Sequence, residues 1–176
     1  MTPRTPELPM AFTWWEFIRG CLLTYGFFLL YSAGAWIWTL AGVLVAPIMV
    51  APYGFASLIL CGAPLAYLTG MLLRRELRTC VHLFWHGLVG LVAGGFGVFV
   101  ALCIYDPSRL IGTPHLPDWG LLNGGWIVAL IEALCTIGAA MTGWRITSRR
   151  ALASDPWYAE PDGEDERLED AVTAER

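Results

Sequence analysis

No charged side chain occurs between Arg19 and Arg74. A soluble domain does not leave so long a stretch uncharged, because about a quarter of its residues carry charge. One bilayer crossing needs about 20 apolar residues, and this stretch exceeds the length of two. Over the whole chain of 176 residues, 56% are hydrophobic and 15% charged. A soluble globule, a nucleic-acid module and a secreted disulfide scaffold are therefore excluded as classes.

Four segments pass the length test: Trp14 to Trp38, Tyr53 to Leu73, Cys80 to Tyr105, and Leu122 to Trp144. In hydrocarbon every backbone polar group must be satisfied within its own segment or a closed barrel. A barrel would show alternating strands of roughly ten residues; these segments show none, so they are expected to be helices. The expected architecture is all-α: an integral membrane four-helix bundle over residues 13–148. A short cytoplasmic segment, 1–12, precedes it, and an acidic cytoplasmic tail, 149–176, follows.

Arginine sets the expected direction. Arg4 and Arg19 precede or open the first span, Arg74, Arg75 and Arg78 link the second and third, and Arg145, Arg149 and Arg150 follow the fourth. The remaining two links carry none and Arg109 alone. Positive residues stay on the cytoplasmic side, so both termini are expected inside. All 11 basic residues are arginine, in keeping with a GC-rich bacterial genome and an inner-membrane location. Arg74, Arg75 and Arg78 are read as topology determinants lying against anionic headgroups of the bilayer.

Residues 151–176 hold nine acids and two arginines, a net charge of −7, whereas residues 1–150 hold nine arginines and six acids, a net charge of +3. Such an acidic stretch, poor in large aliphatics, is expected to be disordered. Within it Trp157 and Tyr158 are candidates for docking a cytoplasmic partner, since exposed aromatics anchor interfaces; the alternative rests Trp157 on the membrane surface.

Thr13-Trp14-Trp15-Glu16 reads as a capping box opening the first helix. Trp14 and Trp15, with Trp36 and Trp38 at the opposite end, form two halves of an aromatic belt. Thr39 to Pro52 then remains, broken by Pro47 and Pro52. It is expected to extend a tilted first helix and turn, with a re-entrant piece as the alternative. Pro64 is expected to kink the second helix.

The most informative residue is Glu132, about 18 Å from Trp144 along its helix. An ionisable group at that depth costs about 3 kcal/mol and faces protein or water. Gly125, Ala129, Glu132, Thr136, Ala140 and Gly143 share one helical face, and Trp126, Leu130, Leu134, Ile137 and Met141 the other. Small residues mark helix contact, so Glu132 is expected to point into the bundle. Gly87, Gly90, Gly94 and Gly97 make a matching groove on the third helix. Tyr31 and Ser32 fall at the level of Glu132, and a hydrogen bond from the Tyr31 hydroxyl is expected. Glu132 is either a neutral carboxyl that glues helices or a proton or cation site.

His82 and His86 stand four apart, a spacing that puts both on one face, where they could ligate a metal or haem. Zinc needs further ligands and a haem pair draws on two helices, so the simpler expectation is a pair of interfacial histidines beside the arginines. No cofactor is expected. The five cysteines are scattered without a C-x-x-C pair and read as small apolar fillers. Nucleotide-binding, zinc-protease and serine-hydrolase motifs are lacking.

The function expected is that of a non-enzymatic inner-membrane accessory or assembly partner, associating through the glycine stripe or the tail with another membrane protein or with its own copies. The alternatives are a transporter or channel subunit built around Glu132, and an electron-transfer subunit using His82 and His86. Nucleic acid is not an expected partner.

Overall fold

The structure, a computed structural model, describes residues 4–5, 7–38, 40–105 and 126–153. Described regular structure is helical: α1 (Trp14–Ala35), α2 (Leu40–Ser57), a π-turn (Leu58–Gly62), α3 (Ala63–Leu72), α4 (Thr79–Tyr105) and α5 (Trp126–Ala153). No strand forms among the described residues beyond an isolated bridge between Thr5 and Leu8. Four helical runs are long and apolar enough to cross a membrane: Trp14–Ala35, Val43–Leu72, Thr79–Ala101 and Ile127–Ala153.

The capping box at the start of α1 is present. Thr13 Oγ1 accepts from the Glu16 amide at 3.2 Å, and Glu16 Oε2 accepts from the Thr13 amide at 2.7 Å. The same carboxylate takes Arg4 through Oε1 at 2.9 Å. Arg4 thereby draws the N-terminal segment over the end of the bundle. The Met10 amide donates to the Arg74 carbonyl at 3.1 Å. Phe12 lies over Gly70, where an added Cβ would meet its ring at 2.6 Å, and it meets Phe17 and Tyr67.

Two boundaries differ from expectation. α1 stops at Ala35, and residues 40–52 open the second span instead of extending the first. Pro47 and Pro52 lie inside α2. Between apolar helices such prolines are tolerated; the Tyr25 hydroxyl ties α1 to α2 by donating to the Ala51 carbonyl at 3.1 Å. The disturbance expected at Pro64 takes the form of the π-turn just before it. A proline ring clashes with the carbonyl four residues back in a regular helix, and a single wider turn relieves that clash. At the other end of the chain α5 continues past Trp144 through Arg145, Arg149 and Arg150 to Ala153. Arginines favour the negative end of a helix dipole, and Ala151 is buried.

α5 packs against both α1 and α4, and α2 packs against the same two helices. α1 and α5 run antiparallel: Gly20 faces Thr147, Gly143 faces Thr24, and Gly138 faces the Tyr31 ring. The buried apolar residues are mostly small, Ala93, Ala139, Ala140 and Ala151 beside Phe28 and Val89. Large ones such as Leu22, Ile48, Leu60 and Phe99 point outward. That distribution inverts the order of a water-soluble core, where large aliphatics are buried.

Candidate functional site: an elongated cavity with polar ends

The close approaches come first, because they decide which surfaces remain. A Cβ at Gly90 would lie 2.9 Å from the Ile137 Cα and from the Thr136 carbonyl oxygen. Gly94 faces Ala133 and Thr136, Gly87 faces Met141, and Gly97 faces Ser57. The glycine groove is thus occupied within the chain, and its lateral use by another protein is not what the packing supports. Ile137 and Met141, expected on the outward face of α5, lie against α4. α5 is clasped from two sides and buries a broader stripe than a helix with one neighbour. Leu130 and Leu134 do face outward.

Glu132 faces inward as expected, but with a different partner. Ser32 Oγ donates to Glu132 Oε2 at 2.7 Å, and the Trp36 indole donates to Oε1 at 3.3 Å. The Tyr31 hydroxyl shares its hydrogen bond with Thr142 at 2.9 Å. Side chains lean toward the N-terminus of their own helix. The long tyrosine therefore reaches back along α1 and down α5, while the short serine meets what is directly beside it. Ser32 is fully buried. Glu132 stands level with the last turn of α1 and the residue capping it, not with that helix's middle. Thr136 Oγ1 donates to the Glu132 carbonyl at 2.7 Å.

His82 and His86 are buried between α4 and α5, not set at the periphery beside the arginines. His82 lies 4.9 Å from the Trp144 ring at 10°, and His86 lies 5.3 Å from it at 31°. His82 Nε2 contacts the Glu76 carbonyl at 2.7 Å, and His86 Nδ1 contacts the His82 carbonyl at 2.8 Å. A carbonyl only accepts, so each of these nitrogens carries the proton. In the neutral rings His82 Nδ1 and His86 Nε2 are then lone-pair acceptors. His82 Nδ1 is buried and has no hydrogen-bond partner among the described residues. No group of three or more His, Cys, Asp or Glu among the described residues could hold a metal ion.

Between α1, α2, α4 and α5 runs a cavity of about 440 Å³, within the range of about 300–1,000 Å³ usual for small-molecule sites. Arg4, Glu16 and His82 line one end, Glu132 and Ala101 the other, with Val89 and Ala93 between. Ala129 and Thr136 also face it. Arg75 and Arg78 are exposed and Arg74 is half-buried. Gly125, Arg109, Trp157 and Tyr158 lie outside the described residues.

Sequence reasoning missed Trp36 as the second donor to Glu132, Trp144 as the plate under both histidines, and the Arg4–Glu16 pair. Trp36 follows Ser32 by four residues, one turn along the same face, which was a usable signal. Trp144 meets the histidines from another helix, and Arg4 stands 12 residues before Glu16, outside any helical spacing.

Comparison with models of protein families, with curated proteins and with solved structures finds no match in any of the three.

Proposed function

We propose that this chain is a non-enzymatic, multi-pass protein of the bacterial inner membrane, a four-helix bundle with both termini in the cytoplasm, serving a larger membrane system as an accessory subunit. Insertion is supported by four long apolar helices whose large side chains face outward. Direction is supported by the way arginine-bearing segments meet at one end: the backbone of Met10 on that of Arg74, Gly20 on Thr147, and His82 on Trp144.

One observation carries the accessory role. Apart from Nδ1 of His82, the described buried polar side chains are committed in separate small groups that tie helices together, such as Ser32 and Trp36 with Glu132, Tyr31 with Thr142, and Arg4 with Glu16. They do not converge into a nucleophile with its base or a ligand set, as catalysis requires. Such a bundle is suited to holding something, inside or alongside, rather than transforming it. The test is extraction of membrane patches without detergent, followed by native mass spectrometry. A stoichiometric foreign polypeptide is the expected result, and a lone chain or a purely homo-oligomeric assembly overturns the accessory role.

A second reading has its own support, because Glu132 lines the cavity: an intramembrane proton or cation site. Glu132→Gln keeps a hydrogen-bonding side chain but cannot titrate. Proton or cation uptake into proteoliposomes that the wild type performs and a folded Glu132→Gln variant does not would favour this reading over the first.

A further inference from the structure

We propose that the cavity is a binding site for one neutral amphiphile with a long apolar chain and a hydroxyl head group that donates its hydrogen bond to Nδ1 of His82. The inference rests on the cavity and the histidine, and it stands whether or not a partner polypeptide exists.

Shape selects the chain. The face of α4 that lines the cavity recurs every three or four residues from His82 to Ala101, a run of about 29 Å at 1.5 Å per residue. Its volume of about 440 Å³ is spread over that length, so the space is long and narrow. On α4 the wall between its ends is made mainly of glycine, alanine and valine, and Tyr25, Phe28 and Tyr53 line it from α1 and α2. A single acyl-like or prenyl-like chain matches such a space, whereas a compact ring system does not.

Chemistry selects the head group. Glu132 already accepts from Ser32 and Trp36, and Arg4 is held by Glu16. The hydroxyls of Thr147 and Ser148 donate to the carbonyls of Gly143 and Arg145. His82 is 2% exposed, and its Nδ1 lacks a partner among the described residues. A buried polar atom in that condition requires an explanation. The Nε2 proton is committed to the Glu76 carbonyl, and no ion pair to His82 forms among the described residues, so a second ring proton would bury an uncompensated charge; Nδ1 therefore offers a lone pair and calls for a donor. An anionic head group would set negative charge against that lone pair. An ammonium would be buried without a counter-charge, which is costly. A hydroxyl meets the requirement. Trp144 stacks on the imidazole and holds the ring plane, so the acceptor direction is fixed.

The test is photolabelling of the full chain in phosphatidylcholine vesicles with 1-hexadecanol carrying a diazirine in its chain, and with the methyl ether of the same probe. Cavity-lining Val89, Ala93 and Val98 report the site, while outward-facing Leu91, Val92 and Phe99 on the same helix report ordinary lipid contact. The expected result is labelling of the cavity-lining positions roughly fivefold higher with the alcohol than with the ether, the factor one net hydrogen bond gives. The outward positions should be labelled alike by both. His82→Phe keeps a ring against Trp144 and is expected to erase the fivefold preference. Val89→Phe leaves every bond of His82 in place, fills the cavity, and is expected to remove labelling at Ala93 and Val98. Equal labelling by alcohol and ether in the wild type overturns the head-group assignment. Unchanged labelling of Ala93 and Val98 in Val89→Phe overturns the site itself. Competition by unlabelled 3-pentadecylphenol and by unlabelled 1-hexadecanol then separates the sources: the stronger competitor identifies the head group as a phenolic or an aliphatic hydroxyl, and failure of both to compete overturns the proposal.

Discussion

Ser32, on the last full turn of α1, gives its hydroxyl proton to Glu132 on α5 at 2.7 Å, and this bond joins two helices a hundred residues apart in sequence. Its neighbour Tyr31 bonds Thr142 instead. The two contacts share no side chain, which makes them separable. Ser32→Ala is expected to lower stability by about 1 kcal/mol, the scale of one interhelical hydrogen bond in an apolar setting. Combined with Glu132→Leu, which removes the acceptor, its cost should be non-additive, with a coupling of about 0.5–1.5 kcal/mol. Tyr31→Phe combined with Glu132→Leu should add within about 0.5 kcal/mol. Thermal unfolding in one detergent, followed by circular dichroism, measures all three. Coupling of Glu132 to Tyr31 and not to Ser32 would contradict the arrangement.

Gly90 and Gly95 lie on the same helix and predict opposite outcomes for the same substitution. Alanine in a helix interior is favoured over glycine by about 1 kcal/mol. At Gly95 nothing lies within 4 Å of an added Cβ, so Gly95→Ala should leave stability unchanged or raise it. At Gly90 the Cβ would meet backbone atoms of α5 at 2.9 Å. Backbone cannot swing aside, and forced overpacking costs about 1–3 kcal/mol. Gly90→Ala is therefore expected to be destabilising. Melting temperatures of the two variants against wild type decide the matter.

The two oxygens of Glu16 do different work, so two substitutions there should differ. Glu16→Gln retains an acceptor for the Thr13 amide and loses only the ionic bond to Arg4. Hydrogen exchange at Met10, whose amide is held by Arg74, should speed up while the first turn of α1 keeps its protection. Glu16→Ala removes the reciprocal half of the cap as well, worth about 1 kcal/mol, and the protection of that turn should fall too. The Arg4 side chain is only 5% exposed. Salt screens buried pairs weakly, so raising ionic strength alone should not reproduce the Glu16→Gln effect.

Much of this was legible from residue pattern, and the exceptions have physical causes. The capping box at Thr13 and Glu16 is a contact within four residues, where spacing alone implies geometry. The inward direction of Glu132 follows from the small residues sharing its face. The identity of its donor does not. Tyr31 and Ser32 point about 100° apart on α1, so which of them meets Glu132 depends on how α1 is rotated against α5, a tertiary variable. One face of small residues implies that Ile137 and Met141 on the opposite face point outward, whereas α5 packs against two helices. Two prolines and an unbroken apolar run imply that residues 40–52 extend the first span and then turn, whereas the chain turns at residues 36–38 and Pro47 and Pro52 are accommodated inside α2. The arginines that precede His82 and His86 in sequence imply an interfacial position, whereas both rings are buried. Their neighbour in space, Trp144, lies on another helix.

Cys80 offers a direct test of direction. It is the second residue of α4, two positions after Arg78, and its side chain is exposed, whereas Cys21, Cys61 and Cys135 are half-buried. Arginines remain on the cytoplasmic side of a bacterial inner membrane, so Cys80 should face the cytoplasm. In a Cys103→Ser background, a membrane-impermeant maleimide added to intact spheroplasts should leave Cys80 unmodified. The same reagent added to inverted vesicles should modify it. Labelling in spheroplasts with protection in inverted vesicles would reverse the bundle in the membrane and place both termini outside. The acidic tail would then face away from every cytoplasmic partner, so this one measurement also decides whether a cytoplasmic role for Trp157 and Tyr158 is open.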